Sequence, residues 1–309
     1  MIETIISHLK EMSPILRIQT VMLREMQSFM IKRGFIQIMP VITSKFTDPL
    51  APDPSSSVIF TPTFEYYSQK LVITQSMILH KQLSLLATEK IFTFSPNVRL
   101  ERIEKNGTGR HAFEFTQMDF EIAYAKMKDV MRLVEDLVIH VIKTVKEECD
   151  AELKIVGREL EVPKKPFKVY KYSEVLEKFG SDNVLSSKEK EPFWIVDIKR
   201  EFYDKEDESN PGHFLNYDLI LPEGYGEVLS GGEREHKYER IVERMEELEK
   251  EGRDYSMFKD YLEVAKMGLL KPSAGAGIGV ERLLRFLCGR KHIREVQLFP
   301  RIPGEEIIF

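Results

Sequence analysis

Cysteine is nearly absent: Cys149 and Cys288 are the only two in 309 residues. They are too few and too far apart for a disulfide framework or a thiolate metal site, so the expected setting is a reducing cytoplasm. A basic excess is also missing. Lys and Arg number 45 against 50 Asp and Glu, a formal charge of −5. Surfaces that bind nucleic acid usually carry surplus cations, so this balance argues against one. No apolar run approaches the ~20 residues that span a bilayer, and Met1-Ile2-Glu3-Thr4 lacks the basic start of a signal peptide. No Ser/His/Asp or Cys/His arrangement points to covalent catalysis. No internal repeat or sharp composition break divides the chain, so residues 1–309 read as one α+β domain.

What is present reads as long amphipathic helices between short strands. Ile15 to Arg33 carries Ile15, Ile18, Val21, Met22, Met26 and Met30 at helical spacing, a stripe suited to a core or a subunit interface. Lys126 to Cys149 repeats the pattern with Met127, Val130, Met131, Val134, Leu137, Val138, Val141 and Ile142. Residues 150–190 are rich in Lys and Glu, include Pro163 and Pro166, and read as a surface insertion with a helix near Ser173–Phe179. Glu206 to Gly212 is a solvated loop, and Tyr238 to Glu251 a helix whose charges face water.

Two segments carry chemistry. From Arg99 to Glu121, apolar Ile91, Phe92, Phe94 and Val98 lead to Arg99. Lys105-Asn106-Gly107-Thr108-Gly109 forms a flexible turn, and Phe113, Phe115, Met118 and Phe120 return. A hairpin bearing Arg99, Arg110 and His111 suits a polyphosphate. Phe115 suits the face of a purine, and Glu101, Gln117, Asp119 and Glu121 suit an amino group or a cation. The same stretch also reads as a merely exposed charged hairpin. Near the C-terminus, Gly275-Ala276-Gly277-Ile278-Gly279 leads into a helix with Arg282 in its first turns; its glycines also suit close helix–sheet packing.

Together these segments resemble the catalytic core of class II aminoacyl-tRNA synthetases. Arg99-Leu100-Glu101 is similar to motif 2, Gly277-Ile278-Gly279-Val280-Glu281-Arg282 to motif 3, and Arg33-Gly34-Phe35-Ile36-Gln37-Ile38-Met39-Pro40 to motif 1. The resemblance implies a mainly antiparallel sheet flanked by helices, and a homodimer joined through motif 1. It also implies that Arg99 holds the α-phosphate of ATP and that Arg110 and His111 reach the γ-phosphate. Phe115 and Arg282 would enclose adenine, and Glu101 belongs to the same ATP site. Arg99 and Glu227 are the catalytic candidates, and Glu227 and Ser230 the implied Mg²⁺ ligands.

The substrate is implied by two further segments, Ile73 to Gln82 and Gly226 to His236. Both resemble the aspartate-specific branch, in which Lys81 would stand on the side-chain carboxylate and Arg234 on a carboxylate of aspartate. Ser76, Gln117 and Asp119 would line the same pocket. Read without the resemblance, Lys81 is a surface helix charge and Arg234 a structural ion pair. Between Thr43 and Phe60, where synthetases carry a mobile loop with a Glu for the amino group, no matching Glu stands; Asp48 and Asp53 are the nearby acids.

An anticodon-reading β-barrel has no room before motif 1, so the chain resembles the archaeal ammonia-dependent asparagine synthetases derived from these ligases. That resemblance implies aspartate, ATP and ammonia as substrates, with asparagine, AMP and pyrophosphate as products. Neither cysteine is N-terminal, so free ammonia rather than a glutamine-hydrolysing element is expected. With the acidic charge, it also argues against a tRNA partner, and no membrane partner is expected. The alternatives are a truncated aspartyl/asparaginyl-tRNA synthetase-like ligase acylating a tRNA or a protein, and a non-catalytic regulatory paralogue.

Overall fold

The computed structural model describes residues 2–50 and 56–309. In chain order it runs through α1 (Ile2–Glu11), α2 (Ser13–Lys32), β1 (Ile36–Gln37), β2 (Thr43–Ser44), β3 (Thr63–Tyr66), β4 (Gln69–Ile73) and α3 (Ile78–Ser84). The hairpin β5 (Lys90–Val98) and β6 (Glu114–Ala123) follows, then α4 (Met127–Glu148), α5 (Asp150–Val156), β7 (Lys168–Lys171), α6 (Tyr172–Phe179) and α7 (Asp182–Lys188). The chain closes with β8 (Phe193–Val196), β9 (Asn216–Leu221), β10 (Gly226–Arg234), α8 (Tyr238–Glu249), α9 (Lys259–Lys266), β11 (Ser273–Gly279) and α10 (Val280–Leu287). Among the described residues, no helix is long and apolar enough to cross a membrane.

Eight strands form one sheet in the order β1-β5-β6-β11-β10-β9-β8-β7. Pairing is parallel only at the two ends, β1 with β5 and β7 with β8, and antiparallel between them. The mainly antiparallel α+β fold expected from the sequence is therefore present. One face of the sheet is covered by helices. Met22 and Met26 of α2, Val134, Leu137 and Val141 of α4, and Leu284 and Leu287 of α10 meet Phe92, Met118, Phe120, Leu219 and Leu229 in a single core. On the other face, Phe193, Ile195 and Ile220 of β8 and β9 pack against Val175 and Leu185 of α6 and α7, while polar side chains such as Arg99, Gln117, Glu227 and Ser230 line a cleft.

Strand β11 shows how the sequence separates the two faces. Side chains alternate across a strand, so Ala274, Ala276 and Ile278 join the core while Gly275 and Gly277 point into the cleft. A Cβ on Gly275 would lie 2.1 Å from Glu121 Oε2, and one on Gly277 would lie 2.8 Å from Gln117 Nε2. The glycines leave room for the polar side chains of β6 to lie across the strand.

Helix α2 carries Pro14 in its first turn, a position that suits proline because its nitrogen has no hydrogen to leave unpaired. Two residues beyond its end, Gly34 turns the chain away in the left-handed region at φ 80°. The methionine stripe faces inward: Met22, Met26 and Met30 lie in the chain's own core. Of the two readings of this stripe, core or subunit interface, the structure shows the core. The apolar side chains left exposed nearby are Ile31, Ile36, Met39 and Ile42. Cys149 and Cys288 are buried at helix ends rather than within helices. Residues 150–190 carry three short helices and the edge strand β7, where the sequence predicts one helix. The only tryptophan, Trp194, donates its indole N–H to buried Glu135 at 3.0 Å.

Gly275→Ala should lower stability by roughly 1–3 kcal/mol, because the new methyl must displace a carboxylate and a backbone carbonyl. Gly107→Ala, whose Cβ would meet nothing within 4 Å, should stay within about 0.5 kcal/mol of wild type. Chemical denaturation would compare them, and equal midpoints would remove the close-approach argument.

Candidate active site

The cleft holds a pocket of about 360 Å³ whose wall includes Arg99, Glu101, Arg110, His111, Phe115, Glu227, Ser230, Glu281 and Arg282. All the side chains expected at the nucleotide are thus brought together. A recess of about 80 Å³ adjoins it and shares Asp48, Arg99, Gln117, Arg200, Tyr203, Ser230 and Gly277 with it. Ser76, Lys81, Asp119 and Arg234, expected at the amino acid, line this recess.

The β5–β6 hairpin supplies the first wall. Arg99 donates from Nε to the Gln75 carbonyl at 3.0 Å, and its guanidinium carbon lies 5.2 Å from the centre of the Phe115 ring. The turn predicted as flexible is a 3₁₀ segment, Ile103–Thr108. Burial, reinforced by Arg282, Arg110 and Lys105, pushes His111 down to about 2. It is therefore a neutral ring, with Nδ1 2.6 Å from Thr108 Oγ1. Of the three groups read as a polyphosphate grip, Arg99 and Arg110 bring charge and His111 only a hydrogen bond.

Helix α10 and strand β10 supply the opposite wall. Arg282 donates to the Arg110 carbonyl at 3.2 Å, to the Glu227 carbonyl at 3.1 Å and to Glu227 Oε1 at 3.0 Å. Burial opposes charge on Glu227, but Arg282, Arg110 and Arg200 outweigh it and lower the carboxyl to about 2. Glu227 is ionised at any neutral pH. Ser230 receives the Arg200 guanidinium, which also reaches Asp218 Oδ1 at 3.0 Å. Among the described residues, no group of three or more His, Cys, Asp or Glu could hold a metal ion alone. Ionised Glu227 and the Ser230 hydroxyl still fit Mg²⁺, which takes one or two protein oxygens and completes its shell from phosphates and water.

In the recess both expected cations are already paired. Lys81 is 2% exposed and donates to Asp119 Oδ1 at 2.7 Å and to the Ala276 carbonyl at 3.1 Å. Asp119 Oδ2 is buried and has no hydrogen-bond partner. Arg234 donates to Glu121 Oε1 at 3.0 Å and to the Gly275 carbonyl at 3.0 Å, with Asp204 Oδ1 at 3.6 Å. Burial would lower Arg234, but Glu121 and Asp204 outweigh it and hold the guanidinium above its usual range. Two carboxylates therefore share one arginine.

Several residues of the site lie outside the sequence-based set. Arg200, Tyr203 and Asp204 follow β8, and Tyr203 Oη donates to Asp48 Oδ1 at 2.9 Å. Asp48 is buried, and burial raises its carboxyl despite the opposing effect of Arg99. Asp53 lies outside the described residues. Asp218 stands opposite Ser230 across the β9–β10 pair; burial outweighs Arg200 and raises it to about 6. No local sequence signal separates this group from solvated charges.

Glu281 adds a pH-sensitive element. Both of its oxygens accept from the Thr116 N–H at 3.0 Å, and burial pushes it from 4.5 to about 7. A carboxyl raised on folding stabilises the fold while protonated. That contribution is lost as pH rises from about 4.5 through about 7. Glu281→Gln should therefore gain stability over wild type across this window, read as melting temperature at several pH values. A constant difference would remove the buried acid.

Residues 5–303 match the family model described as tRNA synthetases class II (D, K and N). The asparagine–tRNA ligase of Koribacter versatilis is 32% identical over 93% of this chain and 68% of its own length. The aspartate–tRNA(Asp/Asn) ligase of Methanopyrus kandleri is 32% identical over 94% of this chain and 68% of its own. The solved asparaginyl-tRNA synthetase of Pyrococcus horikoshii, complexed with asparaginyl-adenylate, superposes with a TM-score of 0.83 at 26% identity. It covers 97% of this chain and 70% of that one. These relatives are tRNA ligases matched along nearly the whole chain, which overturns the expectation that tRNA is not a partner. Net charge sums the entire surface and says little about one arginine-lined cleft. The chain belongs to the class II tRNA synthetases of the D, K and N group.

Proposed function

We propose that the chain is a ligase of the aspartyl/asparaginyl-tRNA synthetase type, which activates aspartate with ATP and passes the aspartyl group to a tRNA. The observation that carries this reading is the pairing of two cavities. One is walled by Arg99, Arg110, Arg282 and ionised Glu227; the other by Lys81 and Arg234 with their carboxylates. A carboxylate oxygen of the substrate attacks the α-phosphorus, and the bond to pyrophosphate breaks, giving an aspartyl-adenylate. The acceptor's lone pair then attacks the acyl carbon and AMP leaves. Neither step needs a protein nucleophile; both need alignment and charge neutralisation, for which Arg99 and Arg282 are placed. Mg²⁺ held by Glu227 and Ser230 would neutralise phosphate charge.

Lys81 supports aspartate over an amide, because an ammonium favours a carboxylate, and the free Asp119 Oδ2 is an acceptor for the substrate's amino group. One observation favours ammonia as the acceptor instead. Asp48 lies on the boundary of the two cavities, where a carboxylate can receive an ammonium ion. A homodimer fits the exposed Ile31, Ile36, Met39 and Ile42 around the motif 1 segment, since closed two-fold assemblies are the commonest.

Purified protein with Mg²⁺, ATP and aspartate should release AMP and pyrophosphate and should label tRNA with aspartate. Free asparagine formed only with ammonium, at a rate rising with pH, would move the conclusion to ammonia-dependent asparagine synthesis. Release of ADP would sink both. Stronger pyrophosphate exchange with asparagine than with aspartate would end the aspartate assignment.

Lys81→Ala should raise the KM for aspartate far more than that for ATP, since an unpaired buried carboxylate costs roughly 2–5 kcal/mol. It should also lower stability, because Asp119 loses its partner. An unchanged KM for aspartate would show that Lys81 does not face the substrate.

A further inference from the structure

Arginines 282 and 285 stand one turn apart on α10 and bridge the same two segments. Arg282 joins the Arg110 carbonyl to the Glu227 carbonyl. Arg285 joins the Gly109 carbonyl, at 2.7 Å, to the Tyr225 carbonyl, and also reaches the Lys291 carbonyl at 3.3 Å. Arg282 faces the nucleotide pocket. Arg285 is 3% exposed, and its guanidinium carbon sits 5.2 Å from the centre of the Tyr225 ring. One segment is the tip of the β5–β6 hairpin and the other the entry to β10, so the pair staples the two walls of the pocket together.

The contacts around the staple are close. Gly109 lies at φ 68°, and a Cβ there would be 2.7 Å from the Lys291 carbonyl oxygen. The Gly109 carbonyl also accepts from the Ile293 N–H at 2.8 Å. Gly226 lies at φ 74°, and its Cβ would be 2.7 Å from Arg110 Nη1, so the Arg110 guanidinium packs directly on this backbone. The spacing between residues 109 and 225 therefore sets where Arg110, His111 and Glu227 stand. Only arginine offers a rigid fork able to reach three carbonyls; a lysine ammonium donates from one point.

We propose that Arg285 is a positioning residue, which holds the hairpin tip against the entry to β10 so that the pocket keeps its spacing when a nucleotide draws Arg282 away from its protein partners. The proposal rests on the adenylate reading for the identity of that nucleotide.

The test compares wild type with R285M and R285K by ATP titration, by pyrophosphate exchange, and by limited trypsin digestion at Lys105 and Arg110. Losing a buried, charged donor to two walls should raise the KM for ATP by about tenfold in R285M. The KM for the amino acid should stay within about twofold, and the turn should be cut faster. R285K should recover part of the loss; should R285M not fold, R285K carries the same comparison. An unchanged KM for ATP in a folded variant overturns the proposal. So does a parallel rise for both substrates with no rescue by lysine, which marks a purely structural role. Wild type that binds no ATP would instead overturn the adenylate reading.

Discussion

A charge taken out of water must find a partner, and the cleft is organised around that demand. Arg234 cannot stand beneath β11 without Glu121 and Asp204, nor Lys81 beside it without Asp119. These pairs fix the depth of the recess. They also leave a defined remainder, since Asp119 keeps one unpaired oxygen. The opposite wall follows the same rule. Glu227 is shared by Arg282, Arg110 and Arg200, and Arg110 also meets Asp182 while Arg200 meets Asp218.

Backbone carbonyls also hold arginines in place. Carbonyls at Gln75, Gly109, Arg110, Tyr225 and Glu227 accept from Arg99, Arg282 and Arg285. Carbonyl dipoles orient a guanidinium without cancelling its charge, so the field stays available to an anion. The neutral state of His111 fits this division, because a nearby third cation would have had no partner.

The sequence made the hairpin, the glycine-rich strand and the following helix legible because their periodicity and turn residues are local properties. Most of the side chains expected at the nucleotide sit on those elements, with Glu227 on β10, and all of them meet in one pocket. Arg200, Tyr203, Asp204 and Asp218 were not legible. They come from a loop and a strand brought to the cleft only by the β8–β9–β10 pairing, and nothing local distinguishes them from solvated charges. The methionine stripe shows the converse limit. Its spacing predicts a buried face, but spacing alone does not say whether the chain itself or a second copy covers it.

The alternation of glycine with alanine and isoleucine in β11 also governs how the sheet assembles. This strand comes late in the chain, yet inserts between β6 and β10, a long-range pairing of the kind that slows folding. A slip of one residue would turn every side chain to the opposite face. Ala274, Ala276 and Ile278 would then press on Asp119 and Glu121, and the glycines would leave voids in the core. Misregistered pairing is thus penalised on both faces at once, and the residues that make room for Glu121 and Gln117 also proofread the closure of the sheet.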